Sequence, residues 1–132
     1  MEDKIKVLLI DDEPDFVNNI AVLLRAHGYD TIVRYDDKEI GDVLEKENID
    51  TVLLDVDLGG ALGFDVCKKI KQIKPEVTVI MITGFGYDTE LVEKAREIGC
   101  AGYIGKNMPI SQILSNFKSF VHTAEHKKRR LS

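Results

Sequence analysis

A chain of 132 residues is the size of one domain, long enough to bury a single sizeable core and too short for two. Its 44% apolar and 31% charged content is that of a globular protein, and a net charge of -5 gives no general attraction to nucleic acid or membrane. No apolar run approaches the roughly 20 residues needed to cross a bilayer, VLLI is far too short for a signal peptide, and Cys67 and Cys100 lack CxxC spacing, so a reducing cytoplasm with both thiols free is expected.

Short β-branched runs alternate with amphipathic stretches along the whole chain. IKVLLI (5–10) opens it, followed by a helical face of Phe16, Ile20, Leu23 and Leu24 that stops near His27 and Gly28, where His27 reads as a helix-end residue. DTIVRY (30–35) comes next, then a face of Ile40, Val43 and Leu44, for which Asp36 with Glu39 predicts a capping box. TVLLD (51–55) precedes a face of Phe64, Cys67, Ile70 and Ile73. VTVIMI (77–82) precedes one of Leu91, Val92, Ala95 and Ile98, with Asp88 as its expected N-cap. AGYIG (101–105) leads to the clearest helix, Ile110, Ile113, Leu114, Phe117 and Val121, with Pro109 expected at its first position. The closing basic run HKKRR (126–130) reads as a solvated helix end or the start of a linker, so residues 1–124 are taken as the domain and 125–132 as a tail.

The strand runs are almost continuously apolar, the form taken by strands covered on both faces. Strand then helix, five times over, implies parallel strands with right-handed crossovers, hence a three-layer α/β sandwich. Polar residues then gather. Asp11 and Asp12 follow the first strand, Asp55 closes the third, Thr83 follows the fourth and Lys106 the fifth, all on the carboxyl edge where open α/β sheets bind ligands. Carboxylates brought together there repel one another unless a cation compensates them. Hard oxygen ligands without cysteine or histidine point to Mg²⁺. Asp55 is the candidate nucleophile, with Lys106 and the Thr83 hydroxyl holding oxygens of a transferring phosphoryl group.

These motifs, LLIDDEP, TVLLDVDL followed by GALGF, VIMITG and GYIGK, in this order, resemble the receiver domain of bacterial two-component response regulators from about Lys4 to His122. The resemblance implies a flavodoxin-like five-stranded parallel sheet in the order 2-1-3-4-5. It implies that Asp55 accepts a phosphoryl group from a histidine kinase or phosphotransfer protein. It implies direct Mg²⁺ ligation by Asp12, Asp55 and the Asp57 backbone carbonyl, with Asp11 acting through water. Thr83 and Lys106 would contact the phosphoryl group, and Tyr103 would move with Thr83. The surface of the fourth helix, fifth strand and fifth helix would then meet an output domain, a downstream protein or a second copy, with no direct role in binding nucleic acid or membrane. The chain would be a signalling module rather than a turnover enzyme.

Two rivals stand beside this. Asp55-Val56-Asp57 imitates the DxD signature of haloacid-dehalogenase-type phosphatases, in which Asp57 would be the acid/base, but that family places DxD after its first strand and further acids late in the chain. A phosphorylation-independent adaptor would have little reason to keep so many like charges together. Departures from the family pattern concern the loops. Asn107 replaces the proline usual after Lys106, so a trans or strained bond is expected. Gly59 replaces another proline, and with Gly60, Gly63, Gly84 and Gly86 it predicts mobile rims to the site.

Overall fold

The computed structural model describes residues 4–58, 62–85 and 88–131, the side chain of Leu131 excepted. Five strands alternate with five helices: β1 (Lys6–Ile10), α1 (Pro14–Ala26), β2 (Asp30–Arg34), α2 (Ile40–Lys46), β3 (Thr51–Asp55), α3 (Gly63–Ile73), β4 (Thr78–Thr83), α4 (Thr89–Glu97), β5 (Gly102–Gly105) and α5 (Ile110–Leu131). All four pairings are parallel and the order is β2-β1-β3-β4-β5.

Side chains on a strand alternate between faces, and here each face feeds a different core. Leu8, Ile10, Val52, Leu54, Val79 and Met81 pack with Val43, Leu44, Phe64, Cys67 and Ile70 of α2 and α3. Val7, Leu9, Leu53, Ile80, Ile82 and Ile104 pack with Ile20, Leu24, Ile113, Phe117 and Val121 of α1 and α5. The unbroken apolar runs are therefore two interleaved sets, and three layers result. Tyr29 and Phe117 close the second core edge to face, with ring centroids 5.4 Å apart.

Helix ends follow local chemistry. Asp88 caps α4 as expected, its carboxylate accepting from the N–H groups of Glu90 and Leu91. The expected capping box at α2 does not form. Asp36 instead accepts from the Lys38 N–H two residues on, and Glu39 sits at the cap in the left-handed region with φ 56°. A short acid that closes its own turn is no longer available to cap a helix. Pro14 occupies the first position of α1, whereas Pro109 stands one residue before α5 and its carbonyl accepts from Gln112 and Ile113. Ile110 and Ile73, placed on apolar faces by their spacing, are exposed at helix ends. α5 runs unbroken through residue 124 to Leu131, so HKKRR lies on its last turns.

Candidate functional site

The carboxyl edge of the sheet brings Asp11, Asp12, Asp55, Thr83 and Lys106 to one end of the molecule, on or just after β1, β3, β4 and β5. Thr83 is itself the last residue of β4. Backbone bonds past the strand ends fix these positions: Asp11 N–H donates to Arg34 O, Val56 N–H to Ile82 O, and Lys106 N–H to Thr83 O at 2.7 Å. The last extends the β4–β5 ladder by one residue and anchors the lysine as it leaves the sheet. No cis peptide bond occurs among the described residues, so Lys106 reaches its place through a trans bond to Asn107.

The Lys106 ammonium lies 2.8 Å from Asp11 Oδ2, 2.7 Å from Glu13 Oε1 and 3.1 Å from Asp55 Oδ2, and 4.6 Å from the Phe16 ring centroid. The side chains of Asp11 and Asp55 are 3% and 4% exposed, that of Lys106 9%, while Asp12 is exposed. Asp55 Oδ1 accepts from the Asp57 N–H at 3.1 Å. Asp11 Oδ1 accepts from the Glu13 N–H at 2.9 Å. Burial pushes the Asp55 carboxyl up to about 7, helped by the charge of Asp11 and opposed by the Asp57 N–H and Lys106. Burial pulls the Lys106 ammonium down, but its ion pair with Asp11 and its bonds to Glu13 and Asp55 outweigh that and raise it. The lysine stays charged.

One ammonium pairs with three carboxylates and a fourth, Asp12, stands beside them, so the balance leaves room for a further cation. Oxygens of Asp11, Asp12 and Asp55 lie within 4.8 Å of one another. Among the described residues the buried Asp11 Oδ2 has no aligned hydrogen-bond donor, its 2.8 Å contact with Lys106 being an ion pair. An all-carboxylate set of oxygens suits a hard divalent ion.

Glu13 and Phe16 belong to the site although sequence reasoning gave neither a part in it. Glu13 is the third acid in succession in LLIDDEP, a signal the sequence carries, whereas the helical spacing of Phe16 marks it as core. Gly63 also differs from expectation. It is buried at the start of α3, where a Cβ would lie 2.2 Å from Asp55 O and 2.9 Å from Val56 Cα, and its N–H donates to Val56 O at 2.7 Å. It is a contact that seats the backbone of Asp55 rather than a loose rim. Gly84 is exposed, with no described residue beyond its chain neighbours near a Cβ placed there, and Gly59, Gly60 and Gly86 lie outside the described residues. The Asp57 side chain is exposed and its backbone bridges Leu62.

Thr83 is wholly buried and its Oγ accepts from the Phe85 N–H at 3.1 Å. Tyr103 is half-buried against the first core; burial raises its phenol above the ordinary value, and the neighbouring Thr83 hydroxyl opposes the rise. The α4 and α5 helices flank β5 and leave a groove of about 260 Å³ lined by Val92, Ala95, Cys100, Tyr103 and Phe120, among others. No helix among the described residues is long and apolar enough to cross a membrane.

Residues 7–118 match the family model of the response regulator receiver domain. Among solved structures, a CheY-like receiver domain protein of Methanospirillum hungatei JF-1 is 22% identical, with a TM-score of 0.83 over 95% of this chain and 99% of that one. A response regulator from Burkholderia pseudomallei, solved with a phosphorylated aspartic acid, calcium ion and citrate, is 21% identical, with a TM-score of 0.77 over 96% and 73%. DrrB, an OmpR/PhoB homologue from Thermotoga maritima, is 25% identical, with a TM-score of 0.76 over 92% and 54%.

Proposed function

The chain belongs to the response regulator receiver family, and on that premise we propose that it takes a phosphoryl group onto Asp55 from the phosphohistidine of a kinase or phosphotransfer protein and passes the signal on through the surface of α4, β5 and α5. The observation that carries this is the seating of Asp55. Its buried carboxylate has one oxygen on the Asp57 N–H and the other on Lys106, beside two further acids on the sheet's carboxyl edge.

The nucleophile is a carboxylate oxygen of Asp55. As its bond to phosphorus forms, the donor's phosphorus–nitrogen bond breaks and the electron pair stays on the imidazole. Asp11, Asp12, Asp55 and the Asp57 carbonyl are the groups to hold Mg²⁺. Bound there, the ion would neutralise charge on the incoming phosphoryl oxygens and favour the ionised form of Asp55. Lys106 already lies at bonding distance from the nucleophile, so its ammonium can follow the transferred group and hold one of its oxygens. Glu13 competes for the same ammonium in the resting state and steadies it from the solvent side. The family match sets the DxD phosphatase aside, and we read the chain as a signalling module that does not turn over a substrate.

For the switch, the Thr83 hydroxyl and Tyr103 are the moving parts. An oxygen on phosphorylated Asp55 offers that hydroxyl a charge-assisted acceptor, worth about 1.5 to 3 kcal/mol. The Thr83 hydroxyl then turns from the side of Tyr103 toward the phosphoryl group, and the Tyr103 ring repacks beside the groove between α4 and α5. This differential contact is what lets phosphorylation shift a population. The groove and its flanking helices are where an output domain, a downstream protein or a second copy would dock. Residues 1–124 serve as the receiver unit, and 125–132 as a solvated helix end or the start of a connection. A cytoplasmic location follows from a kinase donor.

Amide exchange with and without beryllofluoride, a phosphoryl mimic, tests the switch. Changes should reach residues 85–115 and vanish in Asp55→Asn. Changes confined to the neighbours of Asp55 would refute it.

A further inference from the structure

The chain's two cysteines stand 33 positions apart in sequence, yet their sulfurs are 3.4 Å apart. Cys67 is fully buried on α3. Cys100 precedes β5, is half-buried, and lines the groove between α4 and α5. We infer that Cys67 and Cys100 form an oxidisable dithiol, a modification site at which a small oxidant of the hydroperoxide class closes a disulfide tying α3 to the corner between α4 and β5.

Buried thiols are often no more than small apolar side chains. Three features of this pair go further. Closing the bond needs the sulfurs to approach by only about 1.4 Å, to the ~2.05 Å of a disulfide. The corner that carries Cys100 is defined by Gly99, at φ 92°, and by bonds from Gly99 N–H to Arg96 O and from Cys100 N–H to Ala95 O, so the pair is held in register by backbone. The Lys71 ammonium, one turn along α3 from Cys67 and bonded to the Val77 carbonyl at 2.6 Å, lends positive charge to both sulfurs. The hydrogen bond with Cys100 draws the Cys67 thiol down against burial, while the same bond and burial push Cys100 up, as expected of two sulfurs sharing a proton.

Cys100 meets the oxidant, since it is the sulfur that solvent reaches through the groove. Cys67, the more acidic of the two, is the thiolate; it takes the Cys100 proton across the contact as the Cys100 sulfur attacks one peroxide oxygen. A sulfur–oxygen bond forms, the oxygen–oxygen bond breaks, and hydroxide leaves to be protonated, giving a sulfenic acid. Cys67 sulfur then attacks Cys100 sulfur, the disulfide forms, and water departs. In sum, two thiols and hydrogen peroxide give a disulfide and two waters, with two electrons passing from sulfur to oxygen. The bond crosses from α3 to the corner two residues before Gly102 and three before Tyr103, so it stiffens the end of the groove without touching Asp55.

The test treats the reduced full chain with hydrogen peroxide, alkylates it, and maps the peptides by mass spectrometry. We expect Cys67 and Cys100 in one intramolecular disulfide, a melting temperature higher by about 10 °C than that of the reduced protein, slower amide exchange at residues 95–103 with no phosphoryl donor present, and full reversal by dithiothreitol. In Cys67→Ser, Cys100 should instead accumulate as a sulfenic acid trapped by dimedone. Both cysteines alkylating freely after peroxide would overturn the inference, as would a disulfide formed only between two chains. A disulfide formed with no change in melting or exchange would overturn the stapling.

Discussion

Replacing Gly63 by alanine should displace Asp55 without altering any polar group of the site. The added Cβ would stand 2.2 Å from the carbonyl oxygen of Asp55 and 2.9 Å from Val56 Cα, both backbone atoms that cannot rotate away. An ordinary contact is ~3.5 Å, so the start of α3 and the end of β3 would have to part by about 1.3 Å. Such overpacking costs about 1 to 3 kcal/mol, and stretching the 2.7 Å bond from Gly63 N–H to Val56 O adds ~1 kcal/mol. A loss of about 3 kcal/mol lowers the melting temperature by about 10 °C in a domain of this size. The displacement falls on Asp55, and a misplacement of about 1 Å can reduce a reaction rate ~100-fold. Thermal melts and single-turnover phosphorylation by acetyl phosphate would be compared with Gly84→Ala. Beyond its chain neighbours, no heavy atom of the described residues lies within 4 Å of a Cβ at Gly84, so that change should be neutral or stabilising by up to ~1 kcal/mol. A Gly63→Ala protein that melts within a few degrees of wild type and phosphorylates at its rate would refute the close-approach argument.

Asp55→Asn should raise stability in metal-free buffer, and more at pH 8 than at pH 4. With its folded pKa raised to about 7 from an ordinary ~3.9, the wild-type carboxyl contributes stability that is present below about pH 4 and lost as pH rises through about 7. The variant's gain at pH 8 should be about 2 kcal/mol, and an advantage independent of pH would contradict the raised pKa. Mg²⁺ affinity, by calorimetry, should fall about tenfold or more in Asp12→Ala and little in Asp57→Ala, which keeps the backbone carbonyl. Equal losses would place the Asp57 side chain on the ion. Asp88→Ala, which removes the acceptor of the Glu90 and Leu91 N–H groups, should cost about 1 kcal/mol in a chemical melt, and no loss would show that α4 starts without its cap.

The strands were legible because burial on both faces leaves no polar alternation, and every strand run in the sequence became a strand within a residue at its ends. The edge that collects Asp11, Asp55, Thr83 and Lys106 followed from parallel topology alone. What stayed hidden depended on competition or distance. Asp36 had two donors within reach, and the nearer one at Lys38 won. Glu13, an exposed acid with no periodic signature, could be tied to Lys106 only once the fold crossed 93 positions to bring them together. Gly63 looked like one more glycine of a loose loop, since close approach of two backbones leaves no mark in spacing. Cys67 and Cys100 read as unrelated thiols for the same reason.

Asp55 as phosphoacceptor is tested by incubation with acetyl phosphate and Mg²⁺ followed by intact-mass and peptide mass spectrometry. One phosphoryl group should appear, map to the peptide containing Asp55, be released by hydroxylamine as an acyl phosphate must be, and be absent in Asp55→Asn. A group that survives hydroxylamine, or that appears to the same extent in Asp55→Asn, would contradict the account.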